Sequence, residues 1–182
     1  MPPWVNLANS LTLLRLILVP FIVTGIIHGD HFRALTLFFI AALTDIVDGA
    51  VARSGSGMTE TGAYLDPIAD KCLMSGVFLA LWAAGIVPWW FVGIVFARDL
   101  LILVGVLAVM AFTKVRRFPP SRWGKLSTFV QIVTAISWMT RNAWPTPVLD
   151  AISYVMLWIC AAFTIASGLD YTWRGMHLIR AR

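Results

Sequence analysis

Charge is what this chain has least of. Only 13% of its 182 residues are charged, against 59% hydrophobic, and the mean hydropathy is +0.82. Soluble domains carry about a quarter charged residues, so an ordinary water-exposed globule is excluded. The stretches Cys72 to Ala97 and Ala151 to Leu169 hold no charged residue at all, and each reaches the roughly 18–20 apolar residues of a membrane-spanning helix. Cysteine is nearly absent too. Cys72 and Cys160 stand alone, without CxxC or Cys/His spacing, which excludes a disulfide framework and a zinc site; Cys72 is expected as a small buried core residue. His28, His31 and His177 fall near expected span ends without metal-ligand spacing. MPPWVNLANS has no basic n-region and no A-x-A-like site follows the apolar run, so a cleaved signal peptide is not expected. No internal repeat and no soluble segment interrupts the apolar pattern, and 1–182 is expected to form a single membrane domain.

What is present is an all-α integral membrane pattern with six spans. They run near Leu11–His28, Arg33–Arg53, Glu60–Ile86, Trp89–Phe112, Leu126–Met139 or a longer stretch around it, and Val148–Tyr171. Turn residues mark the breaks: His28-Gly29-Asp30, Ser54-Gly55-Ser56-Gly57, Gly85 through Pro88, Phe118-Pro119-Pro120 and Trp144 through Pro147. Six spans put both termini on one side, together with Arg53, Lys114, Arg116, Arg117, Arg122, Lys125, Arg174, Arg180 and Arg182. The other side keeps only Arg33 and Arg141. This positive-inside bias makes both termini cytoplasmic, and the cytoplasmic (inner) membrane is the expected location. The net charge of +5 and the pI of 9.8 arise from that flank. They point to anionic lipid headgroups rather than nucleic acid. Trp89, Trp90, Trp144 and Trp173 read as interface anchors, and the tail Arg174–Arg182 as a basic stretch on the membrane surface. Arg15, in the first span, is close enough to the cytoplasmic side to snorkel, with a phosphate contact as the sharper reading.

Against this background four acids stand out. Asp45, Asp48, Asp66 and Asp70 lie within two apolar segments, and ionisable groups at membrane depth mark ion sites or chemistry. Asp45 and Asp48 are three apart and Asp66 and Asp70 four apart, so each pair shares a helical face. A short Gly/Ser loop joins the two segments as an antiparallel hairpin, bringing both pairs to similar depth, roughly one or two turns below the cytoplasmic surface. Four converging carboxylates need cations. Hard oxygen ligands suit Mg²⁺ or Mn²⁺, and four negative charges match two divalent ions, an arrangement that clamps a phosphoryl group during displacement. Gly49, Ala52 and Gly62 beside the acids leave room for a ligand, or else for close helix packing.

The whole spacing, Asp45-x2-Asp48-Gly49-x2-Ala52-Arg53-x8-Gly62-x3-Asp66-x3-Asp70, resembles the signature of the CDP-alcohol phosphotransferase family at each of its eight defined residues. The resemblance extends to Asn9 through Arg15 (NSLTLLR) and to Pro120-Ser121-x2-Gly124-Lys125-x-Ser127-Thr128, and so covers nearly the whole chain. It implies the family's six-helix membrane fold, a cytoplasmic-side active site and a homodimer. It also implies transfer of a phosphatidyl group from CDP-diacylglycerol to an alcohol with release of CMP. Under that resemblance Asp45, Asp48, Asp66 and Asp70 are metal ligands, and Asp70 is also the general base. Gly49, Ala52, Arg53, Thr59 and Gly62 would line the CDP moiety, with Asn9 and Thr12 at its border.

Arg98 and Lys125 are the candidates for the acceptor's phosphate, although Arg98-Asp99 also reads as a plain intramembrane ion pair. Family members that make phosphatidylglycerol phosphate typically carry Arg-Glu at Arg98-Asp99 and another arginine about two turns on, where this chain has Leu103-Val104-Gly105-Val106-Leu107. The pattern looks more like the cardiolipin-synthase type, with phosphatidylglycerol as acceptor; glycerol-3-phosphate is the alternative. A cation transporter would also use intramembrane aspartates, but has no evident need of Gly, Ala and Arg at fixed spacing near one surface. A membrane prenyltransferase binds pyrophosphate through Asp-rich motifs on well-separated helices, whereas these sit on one hairpin.

Overall fold

Glycine, proline and capping residues cut the apolar sequence into helices. The computed structural model describes residues 7–53, 60–112 and 121–180, with side chains at 7–9, 46–53, 60–66, 106–112, 175 and 177–180 left aside. Among the described residues there are six helices and no strand: α1 Leu7–Ile27, α2 His31–Arg53, α3 Glu60–Ala83, α4 Trp89–Phe112, α5 Arg122–Ala143 and α6 Pro147–Arg180. The N-terminal caps are side-chain oxygens placed three residues before the amide they accept. Asp30 caps Arg33 (3.4 Å), Ser121 caps Gly124 (2.9 Å) and Thr146 caps Leu149 (3.2 Å). Pro147 opens α6, where its missing N–H costs nothing. At the end of α3, Gly85 at φ +70° lets its own amide reach the Trp82 carbonyl and that of Ile86 reach Leu81, both at 2.8 Å. These two bonds satisfy carbonyls the helix leaves open.

The helices fall at the six apolar runs, with differences at the ends. α5 extends from Arg122 to Ala143, the longer form of the stretch expected around Leu126–Met139, because the Ser121 cap fixes its start a turn earlier. The expected separate basic stretch at Arg174 is instead a continuation of α6, described through Arg180. Thirty-four residues span about 51 Å, well past the roughly 30 Å of a bilayer core. Cys72 is exposed rather than buried. The buried stripe of α3 runs through Ala69, Leu73, Val77 and Ala80, and Cys72 lies at its edge.

The chain divides into two compact groups, one of Met1–Ile86 with Met139–Pro145, the other of Val87–Trp138 with Thr146–Arg182. In the first, α1 packs closely against both α2 and α3. Small residues permit this: a Cβ on Gly25 would lie 3.2 Å from the Ala34 Cβ, and one on Gly76 3.1 Å from Val19 Cγ1 and 3.3 Å from Val23 Cγ2. Ile22, Ile26, Phe38, Val77 and Phe78 fill the core.

In the second group α4 packs on α6, with Trp90 and Trp158 ring centroids 5.1 Å apart. α5 meets α6 through ring contacts, Trp138 with Tyr154 at 5.2 Å and Trp123 with Phe163 at 6.1 Å, and through polar ones. Thr134 donates to the Met156 carbonyl (3.3 Å), Ser153 to the Ser137 carbonyl (3.0 Å) and Gln131 to the Thr164 hydroxyl (3.5 Å). All of Ser127, Gln131, Thr134, Ser153, Thr164 and Ser167 are buried, while Leu100, Leu103, Val104, Val155, Trp158 and Leu169 are exposed. Apolar residues such as Phe91, Val95, Trp138 and Leu157 are buried as well, so what departs from a water-soluble domain is the broadly apolar exterior. By length and composition, α1 (Ser10–Ile27) and α6 (Pro147–Arg174) are long and apolar enough to cross a membrane.

The tight seam at Gly76 gives a stability test. Gly76→Leu is expected to cost about 1–3 kcal/mol through overpacking against Val19 and Val23. Gly93→Ala, whose added Cβ meets nothing within 4 Å, is expected to leave thermal unfolding in detergent unchanged or slightly raised.

Candidate active site

Three helices of the first group meet at a buried arginine. Arg15, on α1, has a fully buried side chain at 0% exposure. One guanidinium nitrogen, Nη2, lies 2.9 Å from Asp45 Oδ1 on α2, and the other, Nη1, lies 2.9 Å from Asp70 Oδ1 on α3. Arg15 therefore does not snorkel to water: it turns inward because two carboxylates from neighbouring helices offer it partners. A guanidinium carries its donors in a planar fork suited to carboxylate oxygens. The two aspartates are not buried with it. Their side chains are 50% and 53% exposed, so each is held from behind and open in front. Thr12, one turn before Arg15 on α1, is buried. Pro67 lies within α3 between Asp66 and Asp70, and its missing N–H interrupts the helix ladder there.

Of the four sequence-predicted acids, Asp45 and Asp70 are thus brought to within one guanidinium's width of each other. Asp48, Gly49, Ala52 and Arg53 lie on α2, Gly62 and Asp66 on α3 and Asn9 on α1, but their side chains are outside the described residues. Thr59 lies outside the described residues altogether. Asp45 and Asp70 supply two of the oxygen donors that a divalent cation would take, and among the described residues no group of three or more His, Cys, Asp or Glu side chains is assembled. Half-exposed carboxylates from two helices, fixed by a shared partner, are the hard ligands that Mg²⁺ and Mn²⁺ take.

The second group holds Arg98, 7% exposed. Its Nη1 pairs with Asp99 (2.8 Å), its Nε and Nη2 both donate to the Ser167 hydroxyl (3.2 and 2.9 Å), and Nη2 also reaches the Gly124 carbonyl (3.4 Å). Lys125 follows Gly124 directly in the first turn of α5 and is exposed. Gly124 itself is required by close approach, since a Cβ there would stand 2.9 Å from the Tyr171 ring and hydroxyl. The Tyr171 hydroxyl in turn accepts from the Ser121 amide (3.1 Å). The Ser121-x2-Gly124 part of the segment noted in the sequence is therefore a helix cap seated on Tyr171. Beside Arg98 lies an open cavity of about 280 Å³ between α4 and α6, walled mainly by Ile94, Ala97, Leu101, Ile165 and Leu169. Sequence reasoning missed Ser167 and Tyr171. Their signal was faint: a serine beside Gly168 in an apolar run, and a tyrosine one turn before the basic tail.

The signature spacing together with this geometry agrees with the comparison to known proteins. The family model for CDP-alcohol phosphatidyltransferase matches residues 5–166. The chain belongs to this family. A probable phosphatidylglycerophosphate synthase of Mycobacterium tuberculosis is 35% identical over 94% of this chain and 82% of its own length. The CDP-diacylglycerol–glycerol-3-phosphate 3-phosphatidyltransferase of Bacillus subtilis is 30% identical, over 91% of this chain and 93% of its own. The CMP-forming cardiolipin synthase of Rattus norvegicus is 29% identical over 91% of this chain and 59% of its own. The chain is accordingly an enzyme of phospholipid biosynthesis, of the CDP-alcohol phosphatidyltransferase class.

Ser167 is the contact that keeps Arg98 satisfied. Ser167→Ala leaves donors of a buried guanidinium without their acceptor and is expected to destabilise the protein by about 1–3 kcal/mol. Chemical unfolding in detergent checks this, with Thr172→Ala as the control on an exposed position of the same helix.

Proposed function

We propose that this enzyme transfers the phosphatidyl group of CDP-diacylglycerol to the free hydroxyl of phosphatidylglycerol, forming cardiolipin and CMP. The observation that carries the general reaction is the Arg15-bridged pair Asp45 and Asp70, two open carboxylates at signature positions. Asp45, Asp48, Asp66 and Asp70 would hold two divalent cations, Mg²⁺ or Mn²⁺. The cations would neutralise the pyrophosphate and stabilise the leaving CMP. Gly49, Ala52, Arg53, Thr59 and Gly62 would accommodate the CDP moiety, with Asn9 and Thr12 nearby. The acceptor hydroxyl oxygen forms the new bond to the phosphatidyl phosphorus, the bond from that phosphorus to the CMP oxygen breaks, and the hydroxyl proton passes to Asp70.

The choice of a lipid acceptor rests on the surroundings of Arg98. A guanidinium beside a mostly apolar open cavity suits an amphiphile, with phosphate on Arg98 and Lys125 and hydrocarbon along Ile94, Leu101 and Leu169. Free glycerol-3-phosphate has no use for the apolar wall. The names of the Mycobacterium tuberculosis and Bacillus subtilis relatives, both covered over most of their length, favour glycerol-3-phosphate as the second reading. The whole chain would act as one six-span membrane domain, its apolar exterior against lipid, its termini and active site on the cytoplasmic side of the inner membrane. A homodimer is the assembly expected from the family resemblance.

CMP release by the purified protein in detergent, with CDP-diacylglycerol, Mg²⁺ or Mn²⁺ and one acceptor at a time, tests this. Release with phosphatidylglycerol and not glycerol-3-phosphate is expected; the reverse result replaces the acceptor reading by the second one. Chelation of divalent metal is expected to abolish release, and Asp70→Asn to lower kcat at least about 10²-fold. An Asp70→Asn enzyme as fast as the parent overturns the assignment of the base.

A further inference from the structure

We propose that Arg15 is the positioning residue of the metal site: an internal cation that holds Asp45 and Asp70 together so that divalent ions meet a ready-made pair of ligands. This rests on the metal-site reading above. Three observations carry it. Arg15 is wholly buried, and both terminal nitrogens are engaged at 2.9 Å, so its guanidinium is turned away from any arriving phosphate. Its partners come from two different helices, α2 and α3, while Arg15 comes from a third, α1, which packs closely against both. The carboxylates are half exposed although the arginine is not. A purely structural ion pair in an apolar interior would have its acids covered as well; here the covered cation leaves the acids open on the other side.

The physical need is plain. Two like-charged carboxylates on separate helices repel one another, and more acids of the same sign stand on the same helices at Asp48 and Asp66. Without a fixed cation the empty site would spread. Arg15 carries a permanent charge and a rigid fork, so it keeps the pair in register before metal arrives. Partners behind metal ligands typically alter affinity 10–100-fold when lost.

Charge and organisation act in opposite directions on metal affinity here. Removing a positive charge beside the acids increases their raw attraction for a metal ion. Weaker binding can therefore come only from lost organisation. Mn²⁺ binding to the purified full-length chain in detergent, without substrate, is followed by the paramagnetic resonance signal of the free ion. Arg15→Gln is expected to bind Mn²⁺ about tenfold more weakly than the parent. Arg15→Lys, which keeps the charge but not the fork, is expected to lie between them, about threefold weaker.

At saturating Mn²⁺ the KM for CDP-diacylglycerol is expected to stay within about twofold of the parent, because the side chain is buried away from substrate. Mn²⁺ binding by Arg15→Gln as tight as the parent's or tighter overturns the proposal. So does a tenfold rise in KM with metal affinity unchanged, which would make Arg15 a substrate contact. If Arg15→Gln does not fold, Arg15→Lys decides: affinity equal to the parent's overturns the bridging role. A parent that binds no Mn²⁺ brings down the metal-site reading itself, and the proposal with it.

Discussion

A single guanidinium shared between two helices ties α1 to the signature acids on α2 and α3. Arg15 reaches Asp45 and Asp70 at 2.9 Å while remaining fully buried. Burying an arginine without partners is prohibitive, and breaking a buried pair typically costs about 3–5 kcal/mol. The acids therefore stabilise the arginine's position as much as it stabilises theirs. The close fit of α1 to its neighbours follows the same constraint. Gly25 against Ala34, and Gly76 against Val19 and Val23, let α1 approach α2 and α3 closely along the seams that carry Arg15 to both acids.

The second group solves a similar problem with different means. Arg98 is satisfied by two neutral oxygens, the Ser167 hydroxyl and the Gly124 carbonyl, and by the carboxylate of Asp99. Around it the helices are joined by hydroxyl and amide contacts as well as by apolar packing. Association through hydrogen bonds and small residues is the pattern of helices whose outer faces already sit in an apolar solvent.

How much was legible depended on whether the signal was local. Helix ends were readable because caps are short-range: Asp30, Thr146 and Pro147 act within a few residues of themselves. The acids were readable because helical spacing puts Asp45 with Asp48 and Asp66 with Asp70 whatever the rest of the chain does. Cys72 was misjudged because burial depends on which side of α3 meets α1, a choice that composition does not encode. Arg15 was assigned to snorkelling because depth along one helix says nothing of which neighbours flank it. Ser167 escaped notice because a lone serine in an apolar run acquires meaning only beside a guanidinium from another helix.

By itself the sequence determined the family, the six helical segments and the identity of the acids, because each follows from composition or from spacing along one chain. The tertiary structure alone decided that Asp45 and Asp70 share one buried cation, that Gly124 makes room for Tyr171, and that Arg98 rests on Ser167. The partners in these contacts stand 30, 55, 47 and 69 residues apart in the chain. No local pattern couples positions at those distances; only the packing of one helix against another brings them into reach.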